Sequence, residues 1–312
     1  MRSFLVAVAL VSILGSGAAS GARELGRDKS DARIARTAQR STQAASIAFA
    51  RFPPVGDASL FTVTPDGSRV DQLLGLRDTF LTEPAWSPDG GRLVFVRTTR
   101  SNVGGIFIWT AKSGGVRRLT RVRSSPSSPV LDAHPRWAPD GQVIAFHRYR
   151  DTGSTLYTVR PDGGDLRTLG EGFEPSWSPD GRRIVFASKR MGTNWDLYTV
   201  PRNGGARLRV TSHRADENNP AWSPDGRTIV FERTWRRNTD VYVMRSDGSS
   251  LRRLTRGPAA DVDPVWSSDG RRIVYASRRG AGFDLYVMNA DGTGKRRLTY
   301  LLGDEVQPAW AP

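Results

Sequence analysis

The 312-residue chain contains no cysteine, only four methionines and three histidines, and it has few lysines. Without a thiol, disulfide bridges, thiolate zinc sites, iron–sulfur clusters and a cysteine nucleophile are excluded. No Gly-x-Ser-x-Gly elbow follows residue 22 and no phosphate-cradling glycine loop precedes a helical pattern, so neither serine-elbow nor nucleotide chemistry is supported. Acidic residues are outnumbered, Asp+Glu 31 against Lys+Arg 46, for a net charge of +15. The lysines are Lys29, Lys112, Lys189 and Lys295, so the positive charge is almost all arginine. Such an excess suits polyanions. No basic stripe on a recognisable nucleic-acid motif accompanies it, however. Nucleic acid is therefore not an expected partner, and the arginine bias reads as compositional.

Long apolar runs are also missing, with one exception. Phe4 to Leu14 follows the basic start Met1-Arg2 and precedes the small residues Ser20-Gly21-Ala22. This layout predicts a secretory signal peptide over residues 1–22. The run is shorter than the ~20 residues a spanning helix needs. No membrane-spanning segment is expected in the mature chain, and the protein should be exported, to a periplasm or beyond the cell. Residues 23–45 are charged and poor in large apolar side chains, and read as a basic flexible linker.

What remains is one motif repeated. Pro84-Ala85-Trp86-Ser87-Pro88-Asp89-Gly90 recurs around Trp137, Trp177, Trp222 and Trp266, and a truncated copy ends at Trp310. Short apolar runs follow, such as Ile184-Val185-Phe186, then alternating strands such as Leu197-Tyr198-Thr199-Val200, and finally polar ones such as Arg252-Arg253-Leu254-Thr255. Short β-branched and aromatic runs punctuated by Asp-Gly are hairpin signals. Four strands (A to D) per 40–51 residues is the period of a propeller blade. The first copy, beginning at Ile47, lacks strand A, and the last supplies strand A alone. Joined, they complete a sixth blade. The predicted fold is all-β, a six-bladed β-propeller over residues 46–312 closed by pairing the C-terminal strand with the N-terminal blade.

These repeats resemble the TolB-type, WD40-like β-propeller family, whose signature is Pro-x-Trp-Ser-Pro-Asp-Gly followed by a basic residue and an Ile-x-Phe strand. The resemblance covers Ile47 to Pro312. TolB-type proteins also carry an N-terminal α/β domain, for which residues 23–45 are too short. One copy lacks the proline of the signature, with Ser268 in its place.

The recurring Asp89, Asp140, Asp180, Asp225 and Asp269 precede glycine and are expected to shape turns rather than hold metal. The repeated tryptophans are expected between blades, and the outer-strand arginines should discourage edge-to-edge association. Tight A–B and C–D turns share one face. The variable B–C and D–A loops share the other, which is the expected functional face. There Trp195, Trp235, Phe283, Arg236 and Arg237 on B–C loops, with Glu217, Asp261 and Glu305 leading into the central strands, are the candidate partner-binding residues. Glu83, His134, Glu174, Asn219, Asp263 and Gln307, three residues before each tryptophan, should make a polar channel mouth. A two-residue turn at Asp140-Gly141 would set His134 opposite His147, and with Asp132 these are weak metal candidates.

No cofactor and no catalytic constellation is read from the sequence. The expected function is a monomeric, non-enzymatic scaffold docking an envelope or secreted protein or peptide. The alternatives are a metal-dependent, lyase-like carbohydrate-active enzyme, or an electrostatic binder of anionic envelope polymers.

Overall fold

A computed structural model describes residues 46–100, 104–122, 129–189 and 194–312. The expected signal peptide and linker lie outside them. Among the described residues no helix is long and apolar enough to cross a membrane.

Six four-stranded antiparallel sheets form the blades. Blade 1 begins with β1 (Ile47–Phe52), β2 (Ser59–Val63) and β3 (Val70–Leu74). Blade 2 contains β4 (Thr79–Trp86), β5 (Arg92–Thr99), β6 (Gly104–Thr110) and β7 (Val116–Arg118). Blade 3 contains β8 (Leu131–Trp137), β9 (Ile144–Arg150), β10 (Gly153–Val159) and β11 (Arg167–Glu171). Blade 4 contains β12 (Phe173–Trp177), β13 (Arg183–Lys189), β14 (Trp195–Pro201) and β15 (Leu208–Arg209). Blade 5 contains β16 (Asp216–Trp222), β17 (Thr228–Trp235), β18 (Asn238–Arg245) and β19 (Arg252–Arg253). Blade 6 contains β20 (Asp261–Trp266), β21 (Arg272–Ser277), β22 (Asp284–Asn289) and β23 (Arg296–Arg297). The last strand, β24 (Asp304–Trp310), returns to blade 1 and pairs with β1, Ile47 opposite Trp310. The ring closes as the truncated repeats predict.

Each blade is held by an aromatic pair from its middle strands. Phe49, Phe95, Phe146, Phe186, Phe231 and Tyr275 are wholly buried. Each faces an aromatic residue of the next strand at ring separations of 5.5–6.1 Å. The tryptophans link blades: Trp177 Nε1 donates to Arg136 O at 3.1 Å and Trp266 Nε1 to Ala221 O at 3.2 Å.

The Asp-Gly turns behave as expected. Asp89 accepts from Ser87 Oγ at 2.5 Å and from Gly91 N at 3.0 Å, while Gly90 takes the φ of 66° that only glycine adopts without strain. The serine hydroxyls hold Asp89, Asp180, Asp225 and Asp269 below the usual carboxylate range. Several outer-strand arginines have a more specific task than guarding edges. Arg117 donates to Pro161 O, Arg207 to Leu169 O at 2.8 Å, Arg252 to Asp291 O at 2.6 Å and Arg296 to Asp66 O at 3.0 Å. In each case the acceptor belongs to a neighbouring blade, so these arginines brace the ring.

Candidate functional site

The A strands line the channel, and all six carry the same irregularity. Their register against the B strand slips by one residue, between Thr82 and Ala85 in β4 and at the matching place in every other blade. The extra residue is the one three before the tryptophan. Glu83, His134, Glu174, Asn219, Asp263 and Gln307 all adopt φ between 46° and 56°. For non-glycine residues this conformation is strained, and it is followed each time by proline.

The same six residues form a hydrogen-bonded circle. Glu83 N donates to Gln307 Oε1 at 3.0 Å, His134 N to Glu83 Oε2 at 2.5 Å, Asn219 N to Glu174 Oε2 at 2.7 Å and Gln307 N to Asp263 Oδ2 at 3.0 Å. In each pair the side chain of one blade caps the backbone of the next. Two steps need a substitute, because the ring residue there is His134 or Asn219. His147 Nδ1 accepts from Glu174 N at 3.2 Å, and Glu232 Oε1 accepts from Asp263 N at 2.6 Å. Asn219 Nδ2 completes the arrangement by donating to Glu232 Oε1 at 2.7 Å and Asp263 Oδ1 at 3.1 Å.

His147 and Glu232 occupy one B-strand position, the residue after the buried aromatic, where the other blades have Ala50, Val96, Ala187 and Ala276. Sequence reasoning passed over Glu232 and also Arg136. Both had a signal: a charged side chain where the other repeats carry none.

Burial governs titration in this circle. It pushes Glu83 up to about 7 and Glu174 to about 8, against the pull of His134 N–H and Asn219 N–H respectively. Asp263 rises to about 6 and Glu232 well above its ordinary value, again through burial. Burial, reinforced by Arg136, depresses His134 to about 3 and takes His147 well down. Both histidines are therefore neutral, consistent with His147 Nδ1 acting as an acceptor.

The two histidine rings do stack, 5.2 Å apart and 26° from parallel. The bulge corrects the expected register, however: His147 is paired with Ala133, not with His134. Asp132 is engaged by Arg148, which donates at 2.6 and 2.9 Å. Among the described residues no group of three or more His, Asp or Glu is placed to hold a metal ion.

The partner-binding candidates separate into buried and exposed sets. Glu217 is 0% exposed and paired with Arg233 at 2.5 Å; Asp261 accepts from Ser277 Oγ at 2.5 Å, and Glu305 from Thr299 Oγ1 at 2.5 Å. All three sit inside the sheets rather than at the mouth, because the A strands remain paired above the bulge. Phe283 is 6% exposed and belongs to the blade 1–blade 6 core.

Trp195 is half-buried, edge-on to Phe173 at 4.1 Å, with Lys189 Nζ 4.6 Å from its ring. Trp235 is 44% exposed. It tops the β17–β18 hairpin, whose two-residue turn is Arg236 (φ 49°) and Arg237 (φ 69°), both exposed. His213 joins the two tryptophan-bearing loops: its ring lies 5.7 Å from Trp235, and its carbonyl accepts from Asn194 Nδ2 at 2.5 Å.

The fold and the channel define a six-bladed β-propeller closed by its two chain ends, with polar side chains tying blade to blade around the axis. The TolB beta propeller domain family matches residues 133–231 and 205–312, more than half of the chain. The protein belongs to the TolB-like β-propeller family. A TolB homologue from Chlorobium luteolum is 35% identical over 144 residues, covering 44% of this chain and 30% of the relative. The Tol-Pal system protein TolB from Syntrophus aciditrophicus is 43% identical over 53 residues, covering 17% and 11% respectively. The crystal structure of TolB from Acinetobacter baumannii superposes with a TM-score of 0.75 at 24% identity, covering 86% of this chain and 67% of that one. The matched part of this chain thus spans less than a third of these curated relatives.

Proposed function

We propose that the protein is an exported, monomeric binding scaffold without catalytic activity, and that it docks a protein or peptide of the cell envelope on its B–C and D–A loop face. Residues 1–22 would serve as the export signal and 23–45 as a linker to the propeller. The relatives that carry the name of the Tol-Pal system support an envelope setting.

The observation that carries this reading is the Trp235-Arg236-Arg237 hairpin tip. An apolar ring is held in solvent on a two-residue turn that favours Asn-Gly but here consists of two arginines. Strained conformations persist where the surrounding structure enforces them, and they gather at functional sites. Trp and Arg are also the residue types enriched at binding hot spots. Trp195 adds a second, half-buried aromatic edge through the His213 bridge. Glu217, Asp261 and Glu305 support the loops from within, through their buried pairs.

The test is affinity capture from native envelope extract at moderate salt, using residues 23–312 as bait and Trp235→Ala as control. A discrete protein retained only by the unmodified bait supports the scaffold. Equal recovery of salt-eluted polymer by both baits favours the electrostatic reading. A lyase-like reading draws on the stacked histidines, but Asp132 is taken by Arg148 and His147 Nδ1 already accepts from Glu174 N.

A further inference from the structure

Five neighbouring loops of the B–C and D–A face contain no acidic residue. They span 210–215, 236–237, 254–260, 278–283 and 298–303, between β15 and β24. Between them they carry Arg214, Arg236, Arg237, Arg256, Arg278 and Arg279, all exposed. Each loop is tied to the next. The His213 ring lies 5.7 Å from Trp235, Asn238 Nδ2 donates to Gly257 O at 3.0 Å and Arg278 N to Ala260 O at 2.9 Å. Phe283 N then donates to Asp304 Oδ1 at 2.8 Å. The five loops therefore form one continuous arc over blades 5 and 6.

Among the described residues none of these six arginines forms an ion pair within 4.0 Å. The carboxylates beneath the arc are engaged already: Asp240 by Arg253 and Asp284 by Arg297, each at 2.6 Å, and Asp216 by Trp195 N at 3.0 Å. Elsewhere arginines are offset. On the same face Asp57 pairs with Arg100 at 2.8 Å, and on the opposite face Asp140 pairs with Arg202 at 2.5 Å. The unpaired charge is thus a local property of the arc. Exposed apolar side chains accompany it, Trp235 on one side and Tyr300 and Leu302 on the other. A guanidinium accompanies each ring: Arg236 lies 5.9 Å from Trp235 and Arg297 4.3 Å from Tyr300. To enter a bilayer these rings would have to drag their charges with them, which is costly. A protein surface can pair the planar forks with carboxylates while it covers the rings.

We propose that this arc binds an acidic segment of a partner protein, its aspartates and glutamates pairing with the arginines and its apolar residues covering Trp235, Tyr300 and Leu302. The proposal rests on the docking reading above and specifies the chemistry of the partner.

The test compares residues 23–312 with two variants of equal net charge. Arg214→Gln, Arg256→Gln and Arg278→Gln together alter the arc; Arg182→Gln, Arg227→Gln and Arg271→Gln together alter exposed arginines of the opposite face. Random peptides displayed on phage are selected on the parent protein, and the enriched peptides are measured on all three proteins by fluorescence anisotropy. The expected peptides are rich in Asp and Glu. Their affinity should fall about 10-fold or more in the arc variant, change little in the opposite-face variant and weaken with salt. Should the arc variant fail to fold, Arg278→Gln alone should still weaken binding. Enriched peptides that are neutral or basic, or acidic peptides weakened equally by both variants, would overturn the proposal. So would enrichment of no peptide while phosphatidylglycerol vesicles are retained by the parent and lost by the arc variant, or enrichment of none and retention of neither. Neutral peptides lost in Trp235→Ala would overturn the acidic partner and keep the docking face; peptides insensitive to both Trp235→Ala and the arc variant would overturn both.

Discussion

Replacing Arg236-Arg237 by Asn-Gly tests whether the β17–β18 turn sacrifices stability for function. Both arginines have positive φ, 49° and 69°. The left-handed region disfavours L-residues by roughly 1–2 kcal/mol each, while asparagine and glycine adopt it readily. Glycine returns roughly 0.5–1 kcal/mol through the entropy of the unfolded chain. The net expectation is a gain of about 1–3 kcal/mol. For a domain of this size that corresponds to a rise in Tm of roughly 2–6 °C. Calorimetry and urea denaturation would measure it, with Trp235 unchanged so that the hairpin keeps its apex. The same variant should lose partner capture, because both side chains that flank Trp235 are gone. A fall in Tm would refute the strain argument. A rise in Tm with capture intact would refute the placing of these arginines at the interface.

Three further outcomes follow from the channel and the blades. Because burial raises Glu83, Glu174 and Asp263, the folded protein binds more protons than the unfolded chain between about pH 4.5 and 8. Unfolding free energy should therefore fall as pH rises through that interval, by up to ~1.4 kcal/mol per group and unit; urea denaturation at pH 5.5, 7 and 8.5 would measure this, and a rise in stability would contradict it. Glu232→Ala removes the acceptor for Asp263 N and should destabilise the protein by about 1–3 kcal/mol, whereas Glu232→Gln retains that acceptor and should be nearly neutral. Phe283→Ala should lower stability by about 3–5 kcal/mol, as a core truncation does, and a surface-like change below 1 kcal/mol would restore Phe283 to the docking face.

The repeats made the blades and their closure legible. Each Trp-Ser-Pro-Asp-Gly marks a turn whose chemistry is local, with Asp89 accepting from Ser87 and Gly91. The bulge was not legible. Glu83 or Gln307 reaches positive φ only because a neighbouring blade receives or offers the matching hydrogen bond, and nothing adjacent in sequence reveals it. One extra residue then moved His134 out of register with His147. The inward placement of Glu217, Asp261 and Glu305 was hidden for a similar reason. Arg233 and Ser277 lie on the neighbouring strands and Thr299 in the loop before β24, and a carboxylate on a strand end reads the same whether it faces water or a guanidinium. Phe283 follows the glycine-rich stretch Gly280-Ala281-Gly282, which reads as loop, yet it reaches the shared core of blades 1 and 6. The arginines misled by number. Their bracing role appears only once Arg252 and Arg296 are seen to reach carbonyls of the next blade.

The pairing of β1 with β24 also orders events in time. Arg51 Nη2 reaches Leu302 O, 251 positions along the chain, and Ile47 pairs even farther away with Trp310. Contacts of such separation form slowly. This one cannot form at all until the final strand has left the ribosome. Throughout synthesis one flank of β1 remains an open ladder of amides and carbonyls, so the nascent propeller is an unclasped bracelet. A chain that has lost its last ten residues would keep that clasp open and recruit a strand from another molecule.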